Sequence, residues 1–563
     1  MGGGAQRLGI ISLFRCPGKA LPRGSSRGPG RPANAPPTVN LLKAVFTVSG
    51  MTLASRVTGL VRESLKAAVF GAGASMDAFE AAFRLPNLLR RLFAEGAFSQ
   101  AFVPILAEYR RTRGHDDTRD LVSRVATLMA VVLLAVTALG ILAAPWLVYL
   151  LAGAFAQEPG KAALTTDLIR VVFPYILFIS LTSLAGGVLN VHRRFAIPAF
   201  TPVLLNLAIV AAALFLAPHV DPPIMALGWG VFVGGVAQLA LQIVPLAKLR
   251  MLPRPRFDWR DAGVRRVLAA MAPAILGVSA AQVSVLINTQ LAALLGDGRI
   301  SWISYADRLM EFPTALLGVA VGTVLLPTLA RHGGEGDQAQ YSALLDWGLR
   351  LMVLLAVPAA VALWLLALPL VSTLYQYGRF GAADALATRA AVVGYSVGLL
   401  GIVAVKILAP GFYARQDLRT PVRIAIVAVG VSTTLGFLLM QVLGHAGLTL
   451  ATSLAALFNA TALLVLLKRR GIYVPAGGWI AFGAKVAVAT GVLAGVIVAL
   501  AGPAAVWLHA GLAERVARLA LIVAAGAAAY FAALRLLGFR LRDFNRRDSV
   551  PPPAPPSDVA AEP

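Results

Sequence analysis

Acidic residues are scarce in this chain. Its 563 residues include 26 Asp and Glu against 50 Lys and Arg, and the four types together make up only 13% of the sequence. Soluble domains carry about 25% charged residues, so the shortage excludes an ordinary water-soluble globule. Cysteine is nearly absent as well: Cys16 stands alone, which excludes an intramolecular disulfide framework and any multi-cysteine metal site. The six histidines show no ligand spacing. Walker A, HExxH and GxSxG motifs are missing, so nothing supports nucleotide-driven pumping or hydrolytic catalysis. The chain reads as a non-enzyme without cofactor or metal.

What the chain does contain is hydrophobic length. At 58% hydrophobic residues, it repeats apolar runs of eighteen or more, bounded by Arg, Pro, Gly or Asp. Short segments of alternating polarity, which a membrane barrel would need, are missing. The fold class expected is an all-α polytopic membrane protein with fourteen transmembrane helices. They are placed near 41–68, 77–109, 121–152, 163–191, 199–217, 223–247, 264–295, 301–330, 344–375, 385–410, 421–442, 446–467, 476–501 and 514–538.

The net charge of +24 is explained by where the charges sit. With the amino terminus inside, cytoplasmic loops hold Arg110, Arg111, Arg113, Arg193, Arg194, Arg254, Arg256, Arg469 and Arg470, among others. Outer loops hold little beyond Lys161, Arg299, Arg379 and Arg515. A bias of roughly sixfold places both termini in the cytoplasm by the positive-inside rule. The basicity is topological, which argues against a nucleic-acid partner. Membrane lipids are the partners that the composition itself implies.

Two passages repeat. AFRLPNLLRR…AFVPILAEYRR resembles YADRLMEFPTALLGV…VLLPTLARHGG, and GVLNVHRRFAIPAFTPVLL resembles GFYARQDLRTPVRIAIV. Pro104 and Pro327 stand 223 positions apart, as do Pro198 and Pro421. Pro86 and Pro313 differ by 227, which puts about one extra helical turn in the first half. The repeat predicts two pseudo-symmetric six-helix lobes plus two C-terminal helices. An even number of spans per unit makes the repeats parallel, with their axis along the membrane normal. The expected divisions are a disordered basic extension at 1–38, an N-lobe at 39–250, a cytoplasmic linker at 251–262, a C-lobe at 263–470, two added spans at 471–541, and a disordered Pro-rich tail at 542–563. The first of these reads as a cytoplasmic extension or an over-extended start, because its apolar core is too short for a signal peptide.

Charges inside the spans are the main functional signal, because each costs roughly 2.5–3.5 kcal/mol near a bilayer centre. Arg56 and Glu63 share one face of span one, and Arg62 and Lys66 a neighbouring face. Span two opens with Asp77, Glu80 and Arg84 on one face, then Pro86, expected to break the helix, then Arg90, Arg91 and Glu95. Span eight crowds Asp307, Arg308 and Glu311 into one turn. Asp77, Glu80, Arg84, Glu95, Asp307 and Glu311 are expected to form a gate or ion-pair network, with Asp77 against Arg84 for example. Arg56, Arg62, Arg90 and Arg308 come from both repeats and are expected to bind substrate. Arginine stays charged when desolvated and grips phosphate in two places at once. The residues alone therefore indicate an anionic lipid-like or phosphate-bearing solute. Lys406 reads as a snorkelling lysine.

The stretches NLLKAVFTVSGMTLASRVTGLVRE, FGAGASMDAF, RLPNLLRRLFAEGAFSQAFVPILAEY, PAILGVS, YADRLMEFP and KILAPGFYARQD resemble the MurJ/MviN family of bacterial lipid II flippases, from about residue 40 to 541. The resemblance implies the MOP exporter superfamily fold, with a groove for a lipid tail at the two terminal helices. It implies a substrate too: the undecaprenyl-diphosphate-linked disaccharide pentapeptide of peptidoglycan, moved from the cytoplasmic to the outer leaflet of the bacterial inner membrane. On the matching motifs, Arg56, Arg62, Arg90 and Arg308 become the expected diphosphate ligands, and Asp77 a functionally important acidic position. Cell-wall synthesis proteins become expected partners. Some members hold sodium with carboxylates in spans seven and eleven. Here those spans lack Asp and Glu apart from Asp261 and Asp417 near their ends, which points to the membrane potential as the drive.

Three other readings compete. A drug exporter of the same superfamily would favour an acidic cavity, and an exporter of another lipid-linked oligosaccharide would keep the arginines. A non-transporting scaffold of wall synthesis would not need charges in both repeats.

Overall fold

The computed structural model describes residues 41–90, 97–331 and 338–539. The expected tails at 1–38 and 542–563 lie outside the described residues, as do Arg91 and Glu95.

Lipid offers no hydrogen bonds, so a spanning chain must satisfy its backbone internally, and the described residues are helical nearly throughout. In the first half run α1 (Leu41–Phe70), α2 (Ala74–Arg90), α3 (Ala97–Thr112), α4 (Gly114–Leu142), α5 (Ala144–Ala152), α6 (Pro159–Val172), α7 (Tyr175–Val191), α8 (Ala196–Ala211) and α9 (Met225–Lys248). The second half holds α10 (Ala262–Ala293), α11 (Arg299–Arg331), α12 (Gln338–Leu365), α13 (Ala367–Leu374), α14 (Ala382–Leu408), α15 (Pro410–Tyr413), α16 (Arg419–Leu443) and α17 (His445–Arg469). Then come α18 (Trp479–Ala501), α19 (Ala504–His509) and α20 (Leu512–Leu536).

Helices lie over all fourteen stretches marked in the sequence, and among the described residues ten are long and apolar enough to cross a membrane. Large apolar side chains stand open on the outside, as Val442 (83% exposed), Ile480 (91%) and Leu536 (88%) do. Such a surface suits lipid and not water.

The expected break at Pro86 does not occur. α2 runs through Pro86 to Arg90, and α3, α8, α9 and α12 likewise contain Pro104, Pro202, Pro245 and Pro358. Proline removes one backbone donor, and membrane helices tolerate this where neighbouring helices satisfy the freed carbonyl. α11 is a single helix through Pro313 and Pro327, while the extra turn expected between Pro86 and Pro104 falls on a stretch that includes 91–96, outside the described residues.

In the first half α1 packs on α8, α8 and α7 on α9, α2 on α6, and α3 on α4 and α7. In the second half α14 is central, packing on α11, α12 and α17, while α16 packs on α17 and α10. α18 and α20 pair with each other and lie against α12 and α13 respectively. Without a hydrophobic drive between helices in lipid, small residues set the closest approach. A Cβ on Gly398 of α14 would sit 2.5 Å from Cα of Ser453 on α17, and one on Gly401 would sit 2.7 Å from the Ala456 carbonyl carbon.

The halves meet through α2 with α11 and through α10 with α3 and α5. The linker is an extended strap along α4. Its Arg254 and Arg256 N–H groups donate to Ser123 Oγ (3.0 Å) and Thr127 Oγ1 (2.9 Å), and Arg124 pairs with Asp261. Asp261 also caps α10 by accepting from the N–H groups of Gly263 and Val264. Just beyond, Arg266 of α10 grips both oxygens of Glu108 on α3 at 2.8 and 2.7 Å.

Candidate functional site

On α1, Glu63 and Lys66 stand three residues apart and so share a helix face. Both are buried. The Lys66 ammonium lies 2.9 Å from Glu63 Oε2 and 2.6 Å from Oε1 of Glu80, a buried residue of α2. Arg62 donates from Nε to Glu63 Oε1 at 3.0 Å and from Nη1 to Asn206 Oδ1 on α8 at 2.8 Å. Asn206 is itself fixed, donating to the Ser55 carbonyl (3.0 Å) and Thr58 Oγ1 (3.1 Å) of α1. Three helices of the first half thus orient one guanidinium.

α11 closes the cluster from the second half. Ser304 Oγ donates to Glu80 Oε2 at 2.7 Å, and Arg308 Nε stands 3.7 Å from Glu63 Oε1. Arg308 Nη1 also pairs with Glu311 at 2.9 Å. Glu63 therefore sits between Arg62 and Arg308, one cation from each repeat. Desolvating these charges is tolerable only because they are paired, and removing one member would strand another.

Beyond this cluster the helices are clasped at what the charge bias makes their outer ends. Asp77 of α2 is fully buried and accepts from the N–H groups of Gly298 (2.7 Å) and Ser301 (2.8 Å) and from Ser301 Oγ (2.6 Å). It thereby satisfies orphan donors at the start of α11, where a carboxylate also complements the helix dipole. Alongside, Lys161 pairs with Asp297, Arg379 N–H donates to the Ala68 carbonyl at 2.9 Å, and the Tyr305 hydroxyl reaches the Gly71 carbonyl at 3.2 Å. Gly378 makes room here: its φ of +56° is a left-handed conformation, and a Cβ would lie 2.2 Å from the Ala68 oxygen.

Several expectations change. Asp77 does not pair with Arg84, because the backbone donors of α11 take its oxygens. Arg84 instead lines a cavity of about 320 Å³ in the second half together with Asp307, and its buried Nε has no hydrogen-bond partner. Arg62 and Arg308 come together on either side of Glu63. Arg56 stands exposed on α1, and Arg90 donates to Asn87 on its own helix at 3.0 Å, so neither joins the Glu63 cluster through a direct bond. Glu311 pairs with Arg308, and Glu80 belongs to Lys66.

Three residues carry more than the sequence reading assigned them. Glu63 is the hub of the cluster, and Lys66 bridges two carboxylates; their three-residue spacing in an apolar run was the available signal. Lys406 does not snorkel: its ammonium donates to the Thr314 carbonyl on α11 at 3.0 Å, within the fields of Glu311 and Arg56. With Lys406 included, the cations Arg56, Arg62, Lys66, Arg84, Arg90 and Arg308 outnumber Glu63, Asp77, Glu80, Asp307 and Glu311.

A second, larger cavity of about 970 Å³ lies among α12, α14, α17 and α18. Leu349, Met352, Leu400, Leu464 and Trp479 line it, with Lys468 the one charged group among its described lining residues. Asp346 fastens α18 beside it, accepting from the Tyr473 hydroxyl (2.7 Å), Trp479 Nε1 (2.7 Å) and the Ala476 N–H (3.1 Å).

Comparison with known proteins gives a consistent picture. A family model described as lipid II flippase MurJ matches residues 66–515. The lipid II flippase MurJ of Burkholderia cenocepacia is 49% identical over 515 residues, covering 90% of this chain and 100% of that one. A probable lipid II flippase MurJ of Vibrio cholerae is 40% identical over 512 residues, covering 89% and 97%. Among solved structures, a lipid II flippase MurJ in an inward closed conformation superposes with a TM-score of 0.74 at 22% identity, covering 89% of this chain and 100% of that one. An inward-facing multidrug MATE transporter of the MOP superfamily reaches 0.64 at 12% identity, covering 76% and 98%. At those identities the structural likenesses speak to fold alone.

Proposed function

This chain belongs to the MurJ family of lipid II flippases, and from that membership we propose that it carries lipid II across the bacterial cytoplasmic membrane by alternating access between its two halves. It is a multi-pass membrane transporter and not an enzyme. The cargo is the undecaprenyl-diphosphate-linked disaccharide pentapeptide, moved from the cytoplasmic to the outer leaflet.

The observation that carries the site assignment is the sharing of Glu63 between Arg62 and Arg308. A diphosphate entering between the halves offers both guanidinium groups a stronger, bidentate partner than the single carboxylate they share. Arg56, Arg90 and Lys406 supply further positive charge around it. The substrate thus brings the counter-charge that makes the surplus of cations tolerable in the membrane. The Asp77 clasp closes the outer ends while the diphosphate is gripped, and its opening releases the head group outward.

The division into lobes at 39–250 and 263–470, joined by 251–262, follows the repeat and the packing of each half. The apolar cavity beside α18 suits the polyprenyl tail, in keeping with a tail groove at 471–541. Both termini lie in the cytoplasm on this reading, and the cell-wall synthesis proteins that consume the flipped precursor are its expected partners. Accessibility tags at Gly114 and Gly444 test the topology: the first should report from the cytoplasm and the second from outside.

Arg308 tests the mechanism. Arg308→Lys keeps the charge and loses the fork, so transport should fall while insertion survives. Arg308→Ala should lose lipid II binding more severely. If Arg308→Ala combined with Glu311→Gln restores binding and growth at matched membrane abundance, Arg308 serves only its ion pair and the assignment fails.

A further inference from the structure

The cavity into which Arg84 projects is not explained by gripping a diphosphate. It lies among α10, α11, α14, α16 and α17, on the second-half side of α11, and its volume of about 320 Å³ falls at the low end of small-molecule sites, about 300–1,000 Å³. Its lining is polar in a specific way. Arg84 Nε, Ser432 Oγ and Asn459 Oδ1 are all buried there without a hydrogen-bond partner. Beside them Asn288 Nδ2 donates to Thr452 Oγ1 at 3.1 Å, so both side chains are held in place along the wall. Buried polar atoms are normally satisfied, and orphans brought together from three different helices mark a place where something else completes the bonds.

The chemistry of the lining says what that is. A cation site would gather several carboxylates, yet Asp307 is the only one among the described lining residues, and the Arg84 guanidinium shares the cavity with it. An anion would meet Asp307. The remaining polar groups are hydroxyls and amides, able both to donate and to accept, set in a wall that is otherwise apolar, with Val285, Ile300, Ile303 and Met310 among it. We propose that this cavity takes a neutral, hydroxyl- and amide-bearing group, the sugar portion of the head that is bonded directly to the diphosphate. The inference rests on the lipid II reading above and adds a second subsite to it. α11 makes the two subsites adjoin: Arg308 turns to Glu63 between the halves, while Asp307, the residue before it, lines the cavity. A diphosphate on Arg308 would hold its attached sugar at the mouth of this cavity.

Binding to the full-length protein in nanodiscs separates the two subsites, with lipid II and undecaprenyl diphosphate as the two probes. Asn459→Leu and Ser432→Ala should each weaken lipid II binding, by about tenfold for Asn459→Leu, as loss of one or two hydrogen bonds implies. Neither should change the affinity for undecaprenyl diphosphate, which lacks the sugar. Arg308→Ala should weaken both ligands. Ser432→Ala removes a buried unsatisfied hydroxyl, so its thermal stability should hold and a folding defect cannot mimic the result. Unchanged lipid II affinity in both cavity variants would overturn the sugar subsite while leaving the Arg308 result to judge the diphosphate reading. So would a sodium-dependent stabilisation of the wild type that Asn459→Leu abolishes, since that would make the cavity a cation site.

Discussion

Asp77 of α2 holds Ser301 of α11 twice, by its N–H at 2.8 Å and by its hydroxyl at 2.6 Å, across the boundary between the two repeats. Both residues are fully buried. A carboxylate accepting several bonds at a helix start joins the halves by polar contacts that water could replace. That suits the outer closure proposed above.

Asp77→Ala should therefore loosen the outer clasp without disturbing the Glu63 cluster. The check is labelling by an impermeant thiol reagent from outside, in a Cys16→Ser background carrying Ile303→Cys, a position 8% exposed in the closed clasp. Labelling should rise in Asp77→Ala and stay near the background in Asp77→Asn, whose amide oxygen still accepts. Equal protection in all three would show that Asp77 does not hold the outer side shut.

Lys66 should matter to stability more than its absence from any binding role suggests. Lys66→Met takes from buried Glu80 the cation it pairs with, beside a Glu63 that keeps Arg62 and Arg308, and breaking such a buried pairing costs roughly 3–5 kcal/mol. Thermal unfolding in detergent should show a large loss. Adding Glu80→Gln should recover part of it by removing one of the two carboxylates.

Outside the spans, Asp417 gives an acid-sensitive contact. Burial acts to raise its pKa, but the Thr420 hydroxyl and N–H and the Arg470 guanidinium outweigh that and hold the carboxyl at about 2, below its ordinary 3.8. A depressed carboxyl contributes stability that is complete above about pH 4 and fades as pH falls through 2. Asp417→Asn should lower stability at neutral pH, and the gap to wild type should close toward pH 2. A gap that stays constant over that window would remove Asp417 from the acid response.

Close packing of α14 on α17 sets a fourth expectation. Gly398→Val should destabilise strongly, since even a Cβ meets the Ser453 backbone at 2.5 Å, whereas Gly430→Ala has open space and should not. Detergent melting curves of the two variants should differ in that order.

The helical class was legible because it depends on a long-range pattern, apolar run length, and Arg62 and Arg308 could be singled out because each is a charge inside such a run. What the chain concealed was pairing choice. Asp77 has Arg84 seven residues on, at a spacing that puts both on one helix face, yet it bonds to backbone donors 221 and 224 positions away. Periodicity reports which face a side chain occupies and says nothing about which partner from another helix arrives there. Lys406 misleads similarly, since a lysine near a helix end looks alike whether its ammonium meets the interface or a carbonyl of α11. Pro86 shows the limit of local rules, because the neighbours that let a helix run through proline are not local.

The strap along α4 has a mechanical consequence. A loose leash between two rigid bodies would let them tilt freely, but residues 251–261 are sewn to α4 at Ser123, Thr127 and Arg124, and α10 is riveted to α3 by Arg266 and Glu108. There is no slack at that end. The linker end of α10 is thus bound to the first half, and near its other end Gln290 donates to the Tyr149 and Leu150 carbonyls of α5 at 2.6 Å each while Asn288 donates to Thr452 of α17 at 3.1 Å. α10 is therefore a second-half helix that the first half holds near both ends, so any movement of the halves against each other has to be taken up where α10 packs on α16 and α17.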